Sequence, residues 1–377
     1  MSSPIWFNRP AVVGGELDAM REAMENGTIS GDGGFTKRCH ALLEQISGAP
    51  KALLTTSCTH ALEMAALLLD IQPGDEVICP AFTFVSTINA FVLRGARPVF
   101  VDIRPDTLNL DERALEAAIT SRTRAILVVH YAGVACDMDA IVAIAGARGI
   151  PIVEDNAHGL FGHYHGRPLG SFGALATLSF HETKNVTCGE GGALLINDPR
   201  FVERAEILRE KGTNRTRFFR GQIDRYTWVD VGSSYLPSEL LAAYLQVQLE
   251  ARDRIQARRQ AIWRRYEAAL GATGLPMPTV PAGCDQPAHL FYLLMPSLEA
   301  RTRLIDCMRA RQILLVFHYQ PLHLSEMGLR LGGQPGQCPV TEDVADRLVR
   351  LPLYFQLQDD EQSRVIDGLE AFVSGAR

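Results

Sequence analysis

Residues 174–192 read ALATLSFHETKNVTCGEGG. An apolar run able to form a buried strand, Ala174 to Phe180, ends in polar residues. A single lysine, Lys184, follows, and then the glycine-rich Gly189-Glu190-Gly191-Gly192. This order puts a lysine on a short connection at a strand end, beside backbone that can approach a ligand closely. An amine held away from water keeps a neutral fraction and can form a Schiff base with an aldehyde. The plainer alternative is a solvated surface lysine, the common fate of that residue type.

A second apolar run, Gly149-Ile150-Pro151-Ile152-Val153, ends in Glu154-Asp155, with His158 three positions beyond the aspartate. Carboxyl ends of strands are where ligands of α/β sheets bind, and an aspartate there can hold a positive charge. A lysine for an aldehyde and an anion for a pyridinium nitrogen are the two groups that pyridoxal phosphate requires. Asp155 could equally cap the next turn, leaving His158 an ordinary loop residue. A third stretch, Thr55-Thr56-Ser57-Cys58-Thr59, follows the apolar Ala52-Leu53-Leu54 and opens the helical run His60 to Asp70. Ser57 or Thr59 can cap that helix, and its N-terminus suits an anion such as a phosphate, although capping alone would explain the same residues.

The elements that must carry these residues alternate. Strand candidates are Ala52–Thr55, Glu76–Cys79, Pro98–Asp102, Arg124–Val129, Pro151–Glu154, Ala174–Phe180 and Gly192–Ile196. Helical patterns at His60–Asp70, Phe84–Arg94, Asp111–Thr120 and Asp137–Arg148 lie between them. Such alternation predicts an α/β fold, a mostly parallel seven-stranded sheet between helices. Two helices precede it, Gly14–Asn26 and Thr36–Ser47. Beyond Pro199 the pattern turns helical, then loosens over 212–232, a linker rich in Arg, Thr, Phe and Tyr. A long helix or broken helix pair spans Leu236 to Leu270, and its Arg252, Arg254, Arg258, Arg259, Arg264 and Arg265 read as a solvated face. A smaller α+β part follows, with strands at His289–Met295 and Leu314–Phe317, a helix at Ala300–Arg311 and a last helix at Asp359–Val373. The division expected is a large domain over 1–250 and a small one over 251–377.

With 377 residues, 47% of them hydrophobic, the chain can bury a large core. A formal net charge of −6 argues against general nucleic-acid binding. The opening MSSPIWFNRP lacks the charged and apolar regions of a signal peptide, and no apolar run is long enough to span a bilayer. Eight cysteines without CxxC or zinc-finger spacing read as reduced thiols and give no metal site, so the expected location is the cytoplasm.

The succession TSCT, FTFVST, VEDNAH, SFHETKN and GEGG resembles the DegT/DnrJ/StrS sugar-nucleotide aminotransferases over essentially the whole chain. These are pyridoxal phosphate enzymes with the aspartate aminotransferase type of fold, fold type I. The resemblance implies that Lys184 binds the cofactor and moves the proton, and that Asp155 pairs with the ring nitrogen. His158 would lie near the phenolic oxygen, and Phe84 would stack on the ring. Ser57, Cys58, Thr59 and Ser179 would hold the phosphate. Many members reach the partner subunit's phosphate with an asparagine, where this chain has Ser234 in Val231-Gly232-Ser233-Ser234-Tyr235. Asn185, Arg215, Arg220, His318, Tyr319 and His323 would face the substrate. The segments GDGGFTKRC, VHYAGVACDMD and EKGTNRTRFFRGQIDRYTW are similar to those of members that make dTDP-4-amino-4,6-dideoxygalactose. The implied substrates are L-glutamate and a dTDP-linked 4-keto-6-deoxy sugar, in a homodimer with shared active sites. Sugar dehydratases of the same family replace the lysine with histidine, and this chain keeps Lys184.

Overall fold

Seven apolar runs form one sheet in the computed structural model, which describes residues 3–375. They are β1 (Lys51–Thr55), β2 (Glu76–Pro80), β3 (Arg97–Val101), β4 (Thr123–Val129), β5 (Ile152–Asp155), β6 (Leu175–Ser179) and β7 (Gly192–Ile196). Their order across the sheet is β1-β7-β6-β5-β4-β2-β3. The pairs β2/β3, β2/β4, β4/β5 and β5/β6 are parallel, whereas β7 runs antiparallel to both β6 and β1. The sheet is therefore mostly parallel, as the alternation predicts.

Parallel neighbours need a crossover, and helices supply it. Two helices, α1 (Glu16–Glu25) and α2 (Gly34–Ser47), precede the sheet. Helix α3 (Cys58–Leu68) joins β1 to β2, α4 (Ser86–Val92) joins β2 to β3, α5 (Glu112–Ala118) joins β3 to β4, and α6 (Met138–Gly146) joins β4 to β5. Helix α3 buries Ala61, Leu62, Met64, Ala65, Ala66 and Leu68, so it is apolar on nearly every side because protein surrounds it. Ser57 caps it by accepting a hydrogen bond from the His60 N–H at 3.1 Å. The α4 helix starts two residues later than the pattern Phe84–Arg94 predicts, which leaves Phe84 on the loop before it.

After β7 come α7 (Val202–Arg209) and α8 (Arg215–Phe219). The Leu236–Leu270 pattern is a broken pair, α9 (Glu239–Glu250) and α10 (Arg252–Leu270). The arginine face of α10 departs from the expectation at Arg259. That residue is buried and donates to the carbonyls of Ala288 and His289 at 3.0 and 2.6 Å. A second core gathers Trp263, Tyr266, Phe291, Leu304 and Leu369, and takes in Ile5 from the start of the chain. Beside it lies a small antiparallel sheet of β8 (Tyr292–Leu294), β9 (Val316–Phe317) and β10 (Leu348–Arg350), with β10 in the middle. The central strand β10 was not among the sequence expectations, because three residues are too few to show a periodicity. Helix α11 (Leu298–Ala310) and the terminal helix Asp359–Gly375 pack on it. Among the described residues no helix is long and apolar enough to cross a membrane, and no cluster of possible ligands could hold a metal ion.

Candidate active site

Because β6 and β7 are antiparallel neighbours, a simple loop joins them, and that loop lies at the carboxyl end of β6. Its neck is closed by Phe180 N–H to Gly191 O (2.8 Å), Cys188 N–H to Phe180 O (3.0 Å) and the Thr187 hydroxyl to Phe180 O (2.9 Å). A turn from Lys184 N–H to His181 O (2.9 Å) sets the lysine at its head. On the next strand Asp155 is the last residue of β5, registered against Thr177 of β6. Gly192, the first residue of β7, lies directly under the start of α3. A Cβ at this position would fall 2.3 Å from Ser57 C and 2.4 Å from Cys58 N. Only glycine lets the α3 N-terminus sit against this strand.

These elements enclose a cavity of about 740 Å³. Its wall includes Lys184, Asp155, His158, Ser57, Cys58, Thr59, Phe84, Ser179, His318 and Tyr319. Lys184 keeps some accessible surface because it faces this space. The surrounding protein nevertheless desolvates its amine and pushes the pKa down to about 8, against the pull of Cys58 and Asp155. Burial raises the Asp155 pKa, while the Thr87 hydroxyl, donating at 2.7 Å, and the Ala157 N–H at 3.2 Å favour its ionised form. Burial drives His158 well below its ordinary value, so the imidazole is neutral. His158 stacks on His289 at 4.3 Å and 26°, and its Nδ1 has no partner. At the other end of the cavity Thr59 Oγ1 donates to Ser86 Oγ at 2.8 Å. The Cys58 and Thr59 N–H groups lie in the first turn of α3, outside that helix's own ladder.

The expected site residues thus separate into two sets. Lys184, Asp155, His158, Ser57, Cys58, Thr59, Phe84, Ser179, His318 and Tyr319 converge on the cavity. Phe84 is 55% exposed and lies 6.3 Å from Tyr319, so it is not the core aromatic that a helical position would make it. Asn185 stands behind the wall, accepting from His289 Nδ1 at 3.0 Å and donating to Pro287 O at 2.7 Å. His323 does not reach the cavity: it is fully buried and its Nε2 pairs with Glu342 at 2.9 Å. Arg215 and Arg220 pair instead with Glu210 and Glu206, and Ser234 is exposed at an isolated bridge to Glu210. Among the wall residues that the sequence reading did not place at the site are His289 and Arg350. The only signal for Arg350 is a charge set inside Leu348-Val349-Arg350-Leu351.

A desolvated lysine, an acid on the adjoining strand end and a capped helix N-terminus are the groups that pyridoxal phosphate needs, and the unpartnered His158 Nδ1 leaves a polar atom for it to meet. Fold and site together define a pyridoxal phosphate enzyme of fold type I. The sequence model of the DegT/DnrJ/EryC1/StrS aminotransferase family matches residues 12–370, and the chain belongs to that family. Among solved structures it is similar to Spr1654 of Streptococcus pneumoniae, described as a candidate sugar aminotransferase and solved in its PMP form. The two are 28% identical over 99% of this chain and 100% of that one, with a TM-score of 0.93. The aminotransferase TlmJ of Streptoalloteichus hindustanus is 31% identical over 99% of both chains, with a TM-score of 0.91. A 3-amino-5-hydroxybenzoic acid synthase is 28% identical over 99% of this chain and 100% of its own, with a TM-score of 0.90.

Proposed function

We propose that this aminotransferase moves an amino group from L-glutamate to carbon 4 of dTDP-4-keto-6-deoxyglucose, giving dTDP-4-amino-4,6-dideoxygalactose. The observation that carries the amino-transfer chemistry is the meeting of Lys184 and Asp155 in one cavity from two adjoining strand ends. Pyridoxal phosphate, when bound there, supplies an aldehyde to carry nitrogen and a ring to delocalise electrons. Asp155 would hold a positive charge at the ring nitrogen, and Ser57, Thr59, Ser179 and the Cys58 N–H would hold the phosphate. Phe84 would cover one ring face. Lys184 Nζ, with a pKa near 8, has a neutral fraction at physiological pH and would move a proton between the substrate's amino carbon and the cofactor's aldehyde carbon.

The sugar-nucleotide substrate is supported by the family, by the likeness to Spr1654, and by the segments 31–36, 211–228 and 317–323, which resemble the dTDP-fucosamine-forming members. His318 and Tyr319 line the cavity and would meet sugar hydroxyls. Arg215, Arg220 and Ser234 lie away from it and would serve a partner subunit's site in a dimer. The synthase of an aminohydroxybenzoic acid among the similar structures marks how far acceptors range on this fold. The deciding experiment offers dTDP-, UDP- and GDP-linked 4-keto-6-deoxy sugars at equal concentration, with NMR of the product. We expect the dTDP sugar to dominate kcat/KM and to give an axial amine. Preference for another nucleotide, or an equatorial amine, would refute the substrate and leave the aminotransferase reading standing.

A further inference from the structure

Asn185 follows Lys184 in the chain and is buried behind the cavity wall. Its Nδ2 donates to Pro287 O at 2.7 Å and to Gln256 Oε1 at 3.0 Å, and Gln256 Nε2 donates to the same Pro287 carbonyl at 3.1 Å. A backbone carbonyl can only accept, so it fixes which way both amides face. Turning Asn185 over would set its oxygen against two other oxygens. Its Oδ1 therefore points at His289 Nδ1, 3.0 Å away, and that nitrogen must donate. Burial drives the His289 pKa well below its ordinary value, so the ring is neutral and Nε2 carries no proton. The chain that bears the ring is fixed too, because the buried Arg259 donates to the carbonyls of Ala288 and His289. His158 lies against this ring, 4.3 Å away and 26° from parallel. Little else holds it: Nδ1 has no partner, Nε2 has the Tyr319 hydroxyl at 3.5 Å, and the His318 ring is 6.0 Å off. Two charged rings would repel at this spacing in a buried place, so the stack requires both to be neutral.

We infer that Asn185 is a positioning residue for the cofactor: it holds His289 in the Nδ1–H form, and that ring sets the place of His158 in the cavity. This rests on the pyridoxal phosphate site and not on which sugar or donor is used. Asn185 thus acts from behind the wall, and not on the substrate as the resemblance implies. It also ties two parts of the site together, being the chain neighbour of Lys184 and reaching His158 through a single ring. Loss of the amide would leave the His289 Nδ1–H unanswered in a buried place and free the ring to take its other tautomer or to turn. His158, held mainly by that ring, would then lose the orientation that offers its Nδ1 to the cofactor.

The test begins on the cofactor-free protein. Nitrogen-15 NMR of histidine-labelled enzyme, with His289→Phe identifying the signals, should show His289 protonated at Nδ1 and bare at Nε2. In Asn185→Ala the two forms should mix. Fluorescence titration should show cofactor affinity about tenfold lower in Asn185→Ala, the scale of one lost hydrogen bond to a buried group. In the His289→Phe background the same substitution should change affinity less than about twofold, because an effect routed through His289 is not additive. In the loaded enzyme kcat for glutamate exchange should fall about tenfold, with KM changed less than about threefold. If Asn185→Ala does not fold by circular dichroism, the comparison is read on Gln256→Ala, which removes one of the two acceptors that orient the amide. A bare Nδ1 in the wild type overturns the proposal, as do equal losses in the two backgrounds. So does a raised KM at unchanged kcat, which would make Asn185 a substrate contact. Wild-type enzyme that binds the cofactor but transfers no nitrogen removes the aminotransferase reading, and the tautomer and affinity results still decide this one.

Discussion

Lys184 is a reactive group kept at a cost to the fold. Its ordinary pKa of 10.5 falls to about 8 because the cavity wall desolvates it. Below pH 8 the amine is protonated in both the folded and the unfolded chain, and the cofactor-free protein bears the whole penalty, roughly 3 kcal/mol. Between about pH 8 and 10.5 the unfolded chain keeps a proton that the folded one has released, so stability from this group rises with pH. Cofactor-free Lys184→Met should therefore melt above wild type at pH 7, and the gap should close as pH approaches 10. A gap that is constant or widens would contradict the desolvated amine. The same variant should lose at least about a hundredfold in glutamate exchange, the low end of general acid–base effects. At this scale the sequence was informative where chemistry and chain position agreed. Asp155 ends an apolar run and Lys184 follows one by a few polar residues, and a strand end needs no tertiary information to be read as a ligand edge. Arg350 and His289 were invisible because nothing local distinguishes a charge aimed at a distant cavity from one aimed at water. Arg259 failed for the same reason, since its partners are carbonyls at 288 and 289.

The elements were more legible than the residues. Every strand of the main sheet is a run of apolar residues bounded by polar or turn residues, and burial on both faces makes such runs continuous. The direction of β7 was not legible, because the loop 180–191 lacks the short turn signature that marks a hairpin. That direction matters, for it sets Gly192 beneath the α3 N-terminus. Gly192→Ala must displace the Ser57–Cys58 backbone, which should cost about 1–3 kcal/mol, comparable to overpacking a core. Cofactor affinity, measured by fluorescence titration, should drop at least about tenfold, since the displaced N–H groups are those offered to the phosphate. Gly146→Ala in α6, where an added Cβ meets nothing within 4 Å, is the matched control and should leave both quantities unchanged or slightly improve the melt. Equal behaviour of the two variants would show that the close approach has no consequence.

On the scale of the molecule, one chain leaves a face uncovered. Trp228 is 76% and Phe219 68% exposed, and Phe218, Tyr226, Val229 and Val231 lie with them on the linker after α7. Exposed apolar side chains gathered on one stretch suit a two-fold partner, and Arg215, Arg220 and Ser234 sit within the same stretch. Sedimentation at low micromolar concentration should give a dimer, and Trp228→Glu should shift it toward monomer with loss of activity. A fully active monomer would rule out sites shared between subunits. The sheet order carries one more consequence, for the time at which the enzyme becomes an enzyme. Strand β1 lies at an edge and has a single sheet neighbour, β7, which the ribosome makes some 140 residues later. The phosphate end of the cavity hangs on β1, whereas the lysine loop leaves β6, already paired with β5, so it is the phosphate end that waits for β7. Synthesis must pass residue 196 before the first strand finds its pair. The nascent chain thus carries an unpaired strand through more than a third of its translation, and an unpaired strand is the kind of surface that chaperones cover.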